Sequence, residues 1–372
     1  MIDELVDIEE VISFLESQVS PISQQLSWDN SGRQICFPCS KTGIIALALD
    51  PTERVIRQAL EKGCGLLITH HPLFFDKFQR MDFSKNLFKK VGMAVKANLN
   101  LVSFHTNFDN ASYNTSDYIC DLLGAEKISC VSENDQENLF KFTIFVPIGF
   151  EPKIIKAIDD AGAGSIGNYK KCTFYSQGTG TFEPGENTKP FIGRPGKYEE
   201  VKETRLETIV KGENLSLLID KVLAAHPYEE PAYDVYKLHN PRLSGIGTIC
   251  SYKMPISLND FVNKLREIFN IKFLRFNNMF NIKSVNSFAI IAGSGASMWS
   301  VCKDKGLDLL ITGDLKHHDA LNAAEDSFTI IDVGHFQSEQ LFLKYIKSLL
   351  EKKFNVKIEI IEERSSINYR EV

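Results

Sequence analysis

One eight-residue stretch occurs twice in this chain, and that repetition limits the folds open to it. Lys62-Gly-Cys-Gly-Leu-Leu-Ile-Thr69 and Lys305-Gly-Leu-Asp-Leu-Leu-Ile-Thr312 agree at six of eight positions. An apolar run precedes each copy, Gly43-Ile-Ile-Ala-Leu-Ala-Leu49 in one and Phe288-Ala-Ile-Ile-Ala292 in the other. Such short, uninterrupted apolar runs predict buried strands, and the stretches 53–62 and 297–305 that follow them have helical character. A further strand is predicted after each copy, Leu99-Asn-Leu-Val-Ser103 and Phe328-Thr-Ile-Ile-Asp332. Each leads into a histidine with an acid four residues on: His105 with Asp109, and His335 with Glu339. Two strand-helix-strand-helix-strand halves predict an α/β core built from a pseudo-repeat.

The segment between the halves has a different rhythm. Phe140-Lys-Phe-Thr-Ile-Phe-Val146 alternates like a half-buried strand, and 152–161 suits a helix stopped at Gly162. Strands are expected near 172–175 and 205–210, a helix over 215–225, and a last strand over 232–236. That βαββαβ order is the ferredoxin-like pattern. Gly178-Thr-Gly-Thr-Phe-Glu-Pro-Gly185 opens a Gly- and Pro-rich stretch reaching Gly196, expected as a long loop rather than a dinucleotide-binding turn. The expected division is therefore 1–136 and 241–372 as the two halves of one core, with 137–240 inserted. An amphipathic helix over 8–18 should pack on the core.

Composition narrows the function classes. With 43% hydrophobic and 24% charged residues the chain is ordinary for a soluble globular protein. Its net charge of -6 argues against a dedicated nucleic-acid binder, which needs a basic surplus to meet phosphates. The first ten residues are acid-rich and carry no basic side chain, unlike a signal peptide, and no apolar stretch approaches membrane-spanning length. Eight scattered cysteines include a single CxxC, Cys36 to Cys39, where a zinc ribbon needs two. A cytoplasmic protein with reduced thiols is expected.

Chemistry concentrates at the strand ends. Ile68-Thr-His70-His71-Pro72, Ser103-Phe-His105-Thr-Asn-Phe-Asp109 and Asp332-Val-Gly-His335-Phe-Gln-Ser-Glu339 all follow predicted strands, where α/β sheets gather functional groups. Neighbouring side chains of an extended backbone point to opposite sides, so His70 and His71 as ligands would serve two ions. Asp109 and Glu339 are the carboxylates available to bridge them. A helix beginning near His335 would put His335 and Glu339 on one face, and an extended 105–109 would put His105 and Asp109 on one side. An isolated His pair is ordinarily a hydrogen-bonded loop element, and an isolated His-x3-Glu a solvated pair. Their joint placement at matching strand ends favours a metal site. Imidazole with carboxylate suits Zn, Fe, Mn, Co or Ni better than Ca or Mg. Near Gly313-Asp314-Leu-Lys-His317-His318, support of the site or substrate contact competes with helix capping.

Taken together, Thr69-His70-His71-Pro72, His105-Thr106-Asn107-Phe108-Asp109 and Gly334-His335-Phe336-Gln337-Ser338-Glu339, with Trp28-Asp29-Asn30-Ser31-Gly32, resemble the NGG1-interacting-factor-3-like family. Its bacterial members carry the label GTP cyclohydrolase 1 type 2 homologue. Ala161-Gly-Ala-Gly-Ser-Ile-Gly-Asn-Tyr169, Ala225-His-Pro-Tyr-Glu-Glu-Pro-Ala-Tyr-Asp234 and Gly245-Ile-Gly247 match the long form. The resemblance implies two divalent cations held by His70, His71, Asp109, His335 and Glu339. It also implies an insert similar to trimeric signalling and copper-tolerance proteins, and a hexameric, ring-like homo-oligomer. In the reaction named by the label, water attacks C8 of guanine, opens the imidazole ring and releases formate. A dinuclear metal-dependent hydrolase of a nucleotide or related heterocycle follows as the expected function. His105 and His318 are its candidate acid/base or substrate-contacting residues, with a ligand role as the rival for His105. The alternatives are a non-catalytic metal-binding chaperone or sensor, and a regulatory adaptor. No P-loop is present to mark phosphate contacts. His226 and the 194–197 turn are expected at the surface.

Overall fold

The central strands of the core, such as Ile44–Ala48 and Leu66–Thr69, are apolar along nearly their whole length because both of their faces are covered. The computed structural model describes residues 5–20, 22–133, 139–166, 169–238, 244–277 and 282–361. It separates into two compact units, 1–134 with 242–372, and 135–241. The expected boundaries at 136/137 and 240/241 lie outside the described residues.

The first unit is a mixed α/β structure with two main sheets. One has the strand order Lys357–Ile360, Ile44–Ala48, Leu66–Thr69, Asn100–Ser103, Gly32–Ile35. The first four strands run parallel and the last antiparallel. On one face, Ile45, Leu47, Leu66, Ile68 and Val102 pack against Ile8, Val11, Ile12 and Leu15 near the N-terminus, and against Phe342, Ile346 and Leu350. On the other, Ala46, Ala48, Leu67 and Leu101 meet helices Glu53–Glu61 and Asn86–Lys96 through Val55, Ile56, Phe88 and Val91. Ile45 and Ile68 have no exposed surface, so cutting either to alanine should cost about 2–5 kcal/mol.

The second sheet runs Arg275–Phe276, Thr329–Asp332, Leu309–Thr312, Ser284–Ile290, Gly245–Ser257, Glu126–Glu133. Its second, third and fourth strands are parallel and connected by Trp299–Asp304 and His317–Glu325. Sheet membership does not follow chain order. Glu126–Glu133 precedes the insert yet lies in the second sheet, and Lys357–Ile360 near the C-terminus is an edge strand of the first. Register aligns the strand ends: Thr69 stands opposite Ser103, and Thr312 opposite Asp332.

Three expectations need local correction. The N-terminal helix is α-helical only over Ile8–Phe14 and continues as a π-turn, Leu15–Val19. The residues after His105 are not extended. Thr106–Asp109 forms a helical turn closed by Asp109 N donating to His105 O at 3.0 Å. Finally, 178–182 is strand rather than loop, since Thr173–Phe182 pairs along its length with Glu199–Lys211.

The second unit has elements in the order Leu139–Pro147, Glu151–Asp160, Thr173–Phe182, Glu199–Lys211, Gly212–Ala225, Tyr233–Lys237, alternating as strand, helix, two strands, helix, strand. Its four strands are all antiparallel, in the spatial order fourth, first, third, second. Both helices cover one face, with Ile154, Ile158, Leu218 and Val222 against Phe142, Ile144, Leu206 and Val210. No described helix is long and apolar enough to cross a membrane.

Candidate metal centre

His70 and His71 continue the ladder beyond strand Leu66–Thr69. Their backbone N–H groups donate to Ala48 O and Leu49 O at 3.3 and 2.9 Å, which fixes both side chains at the carboxyl edge of the sheet. Asn100–Ser103 ends at the same level and delivers His105. On the other side, Thr329–Asp332 gives way to helix His335–Lys353 after Gly334, whose φ of 92° lies in the region that favours glycine. Buried Asp332 steadies this junction, accepting from Gly334 N and Leu315 N at 2.8 and 3.1 Å.

Each of the four histidines has its Nδ1 held. His70 Nδ1 meets Phe104 O at 2.8 Å, His71 Nδ1 meets Asp50 Oδ1 at 2.9 Å, and His335 Nδ1 meets Asp314 Oδ2 at 2.7 Å. His105 Nδ1 meets Asp29 Oδ1 at 2.8 Å, and the Asp29 side chain is fully buried. An imidazole that donates from Nδ1 to a carbonyl or carboxylate presents a lone pair at Nε2, the arrangement found behind metal-ligating histidines.

The ligand atoms converge. Those of His70, His71 and His105 lie mutually within 4.8 Å, and so do those of His71, His335 and Glu339. Buried Glu339 is shared: its Oε1 is 3.7 Å from His70 Nε2, and its Oε2 is 3.3 Å from His71 Nε2 and 3.0 Å from His335 Nε2. Asp109 Oδ1 sits 3.9 Å from His70 Nε2. Two donors each about 2.1 Å from one cation stand roughly 3.0–3.5 Å apart, so the spacings around Glu339 fit a coordination sphere. Glu339 Oε2 is buried without a well-formed hydrogen bond despite the nearby imidazoles. Such an oxygen needs a partner, and a cation between the imidazoles and the carboxylate would supply one. Gly293 backs this carboxylate, and a Cβ there would collide with Glu339 Oε1.

Protonation equilibria reflect the same crowding. Burial opposes ionisation of Glu339, but His335, His70 and His71 outweigh it and hold the carboxyl well below its usual range. Burial lowers the His71 imidazole, yet Asp50 and Glu339 lift it to about 10. Glu339, against some burial, lifts His335 to about 9, with help from Asp314. His70 is also raised, since Asp109 and Glu339 overcome its burial. Asp109 is raised, chiefly by burial. Four imidazoles with two carboxylates suit a divalent transition metal.

The structure thus brings together His70, His71, His105, Asp109, His335 and Glu339. His105 stands among the ligand atoms rather than behind them. His318 does not join them: it is exposed on the first turn of its helix, its ring 5.3 Å from that of His317. Asp314 supports His335. Sequence reasoning missed Asp29 and Asp50 as supports. Their signals were an acid beside Trp28 in the 28–32 motif and an acid two residues after strand Ile44–Ala48.

Comparison with known proteins identifies the family. The profile of the Duf34/NIF3 (NGG1p interacting factor 3) family matches residues 6–366. A protein of Halalkalibacterium halodurans named GTP cyclohydrolase 1 type 2 homolog is 34% identical over 334 residues, 90% of this chain and 89% of that one. A Staphylococcus aureus protein of the same name is 31% identical over 362 residues, 97% and 98% of the two chains. Among solved structures, a Bacillus cereus protein related to NIF3 aligns with a TM-score of 0.74 at 31% identity, covering 99% of this chain and all of its own. A Staphylococcus aureus structure aligns with a TM-score of 0.79 at 25% identity over 98% and 99% of the chains. By profile, identity and coverage, this chain belongs to the Duf34/NIF3 family.

Proposed function

We propose that the protein is a dinuclear metal-dependent hydrolase acting on a nucleotide or related heterocycle; the GTP cyclohydrolase 1 type 2 homolog name of its relatives supports the substrate class. The observation that carries this reading is the convergence on Glu339, whose buried Oε2 lacks a well-formed hydrogen bond and lies 3.3 and 3.0 Å from the Nε2 atoms of His71 and His335. Two divalent cations (Zn, Fe, Mn, Co or Ni) would be held by His70, His71, Asp109, His335 and Glu339. His105 is read as a further ligand, because its Nδ1 is anchored and its ring faces His70 and His71 at 5.3 Å. When bound, such ions supply Lewis acidity and lower the pKa of water.

The chain's own groups set up the rest. Asp29, Asp50 and Asp314 fix the tautomers of His105, His71 and His335. A cavity of about 450 Å³ opens beside His71 and His335 and is lined by Asp50, Phe75 and Lys90. Lys90 is half-buried there and offers a positive charge to an anionic substrate group. Trp28 and Phe75, 61% and 51% exposed, stand edge-on to His105 at 5.7 and 5.8 Å and leave aromatic faces for a planar ring. Exposed His318 is left the role of a peripheral contact.

The same reading treats the two strand-helix-strand-helix-strand halves as a pseudo-repeat and 137–240 as a ferredoxin-like insert. It places the protein in the cytoplasm as a homo-oligomer, expected to be a hexamer. The test is elemental analysis of protein purified without chelator, followed by a nucleotide panel on the same sample. About two ions per chain with turnover supports the proposal, and metal-free protein overturns it. Two ions without turnover on any nucleotide would favour a metal-binding chaperone, sensor or adaptor.

A further inference from the structure

The insert carries a cavity of its own, with about 490 Å³ of space, the size of a small-molecule site. Its floor lies on the sheet face away from the two helices. Phe145 and Glu203 stand there, because their strand neighbours Ile144 and Val146, and Thr204, turn into the helix-covered side. The Gly- and Pro-rich segment after Phe182 and the residues after His226 form the walls. The two walls are tied by Lys189 N donating to Glu229 Oε2 at 3.0 Å.

Glu203 is only 7% exposed, and among the described residues no lysine or arginine pairs with it. A buried carboxylate without a counter-charge is costly and calls for a positive partner. Gly180 leaves it room, since a Cβ at that position would collide with Glu203 Oε2. Beside it stands the buried Tyr228 Oη, whose hydroxyl faces the Glu203 carboxylate and whose own lone pairs meet no donor among the described residues. Burial and the neighbouring Glu203 push this phenol above its usual range, so it stays neutral. The walls are aromatic: Tyr228 has Phe182 at 6.1 Å and Phe191 at 6.3 Å between ring centroids, and Phe145 completes the lining. The charged lining residues are Glu183, Glu203, Glu229 and Glu230, with no basic side chain among them.

We propose that this cavity binds a small organic cation bearing N–H donors, a guanidinium or a primary amine. Its charge would neutralise Glu203, its N–H groups would satisfy Glu203 and Tyr228 Oη, and the aromatic rings would hold it by cation–π attraction. A phosphate or nucleotide would meet four carboxylates and no cation, so anionic ligands are excluded. The site is chemically separate from the metal centre and does not depend on the reading given for it.

Calorimetric titration of the full-length, metal-loaded protein with agmatine, putrescine, choline and ATP tests this assignment. Agmatine or putrescine should bind once per chain, choline at least several-fold more weakly because it lacks N–H donors, and ATP not at this site. Glu203→Gln should weaken the binding at least tenfold without changing ions per chain, with circular dichroism confirming the fold. Phe191→Ala, on a ring 53% exposed and therefore removable without unfolding, should weaken it several-fold and carries the test if the first variant is unstable. The proposal is overturned if neither agmatine nor putrescine binds at millimolar concentration. It is also overturned if binding is unchanged in the variants that fold, or if ATP binds in a manner that Phe191→Ala abolishes.

Discussion

Replacing Asp29 with asparagine should loosen both the fold and the metal. Its Oδ1 accepts from His105 Nδ1 at 2.8 Å and Asn30 N at 2.7 Å. Its Oδ2 accepts from Ser31 Oγ at 2.6 Å, Thr106 Oγ1 at 2.6 Å and Thr106 N at 3.1 Å. An asparagine can keep one oxygen, and the amide nitrogen then faces the other set. The hydroxyls can turn to accept from it, but the Thr106 N–H cannot. One buried N–H without an acceptor costs about 1–3 kcal/mol, and loss of the charge weakens the surviving bonds by up to ~1 kcal/mol more. The metal-free variant should therefore be destabilised by about 2–4 kcal/mol in urea. Supports of this kind usually contribute about 10- to 100-fold to metal affinity, and a chelator competition should show a loss in that range. The sign with pH is fixed. Burial opposes ionisation of Asp29, but His105, Ser31 and Thr106 hold its carboxyl well below the usual range. Its contribution is thus complete above the unfolded carboxylate pKa of about 4 and fades as pH falls through the depressed native value. The gap between wild type and variant should be flat from neutral pH down to about pH 5 and close only in acid. Equal stability with unchanged metal affinity would show that Asp29 does not orient His105.

Other outcomes follow from the same geometry. Asp109→Asn and Glu339→Gln should each lower metal content while circular dichroism stays native, and two ions per chain in both would sink their assignment as ligands. Metal uptake by the stripped protein should release protons near pH 7.5, because His71 and His335, raised to about 10 and about 9, are then protonated. Apparent affinity should climb about tenfold per pH unit for each proton displaced, until pH passes those values; a flat profile in a pH-stat titration would refute this. His105→Ala should cost bound metal, whereas His318→Ala should leave it intact; elemental analysis of both decides between ligand and proton carrier for His105. Deleting 137–240 should leave a folded, metal-binding core, since Glu133 stands directly opposite Gly245 and a short turn can join their strands. A folded but metal-free product would show that the insert contributes to the centre.

The parts of this centre legible in the sequence are those that depend on neighbours in the chain. Strands Leu66–Thr69 and Thr329–Asp332 are buried at every position, so each shows a short apolar stretch, Leu66-Leu-Ile68 and Ile330-Ile331, and the histidines after them mark the carboxyl edge. The helix starting at His335 was legible from Gly334. What was not legible depends on distant pairing. Asp29 reaches His105 across 76 positions, and no local pattern announces that contact. The glycines of 178–182 read as loop because their value lies across the sheet, where Gly180 makes room for Glu203. The helical turn Thr106–Asp109 likewise escaped a period-two reading, although one turn of helix brings Asp109 round to His70 as well as an extended strand would have done.

The exchange of elements between the sheets explains why candidate ligands from opposite ends of the chain come together. Helix His335–Lys353 begins at the end of a second-sheet strand, where the backbone positions His335 and Glu339. Its body nevertheless packs on the first sheet, with Phe342, Ile346 and Leu350 in the same core as Ile45, Ile68 and Val102. The ring of Phe342 lies 4.9 Å from His70 and 5.0 Å from Phe108, so the helix touches the segments that carry His70 and Asp109. Beyond the helix, Lys357–Ile360 pairs with Ile44–Ala48 and fixes its far end to the first sheet. The hydrophobic contacts along this helix hold Glu339 against His70 and His71 before any cation arrives. Burial of apolar surface is therefore what confines six candidate ligand side chains to one small volume, and it does so at the cost of burying the Glu339 carboxylate among imidazoles.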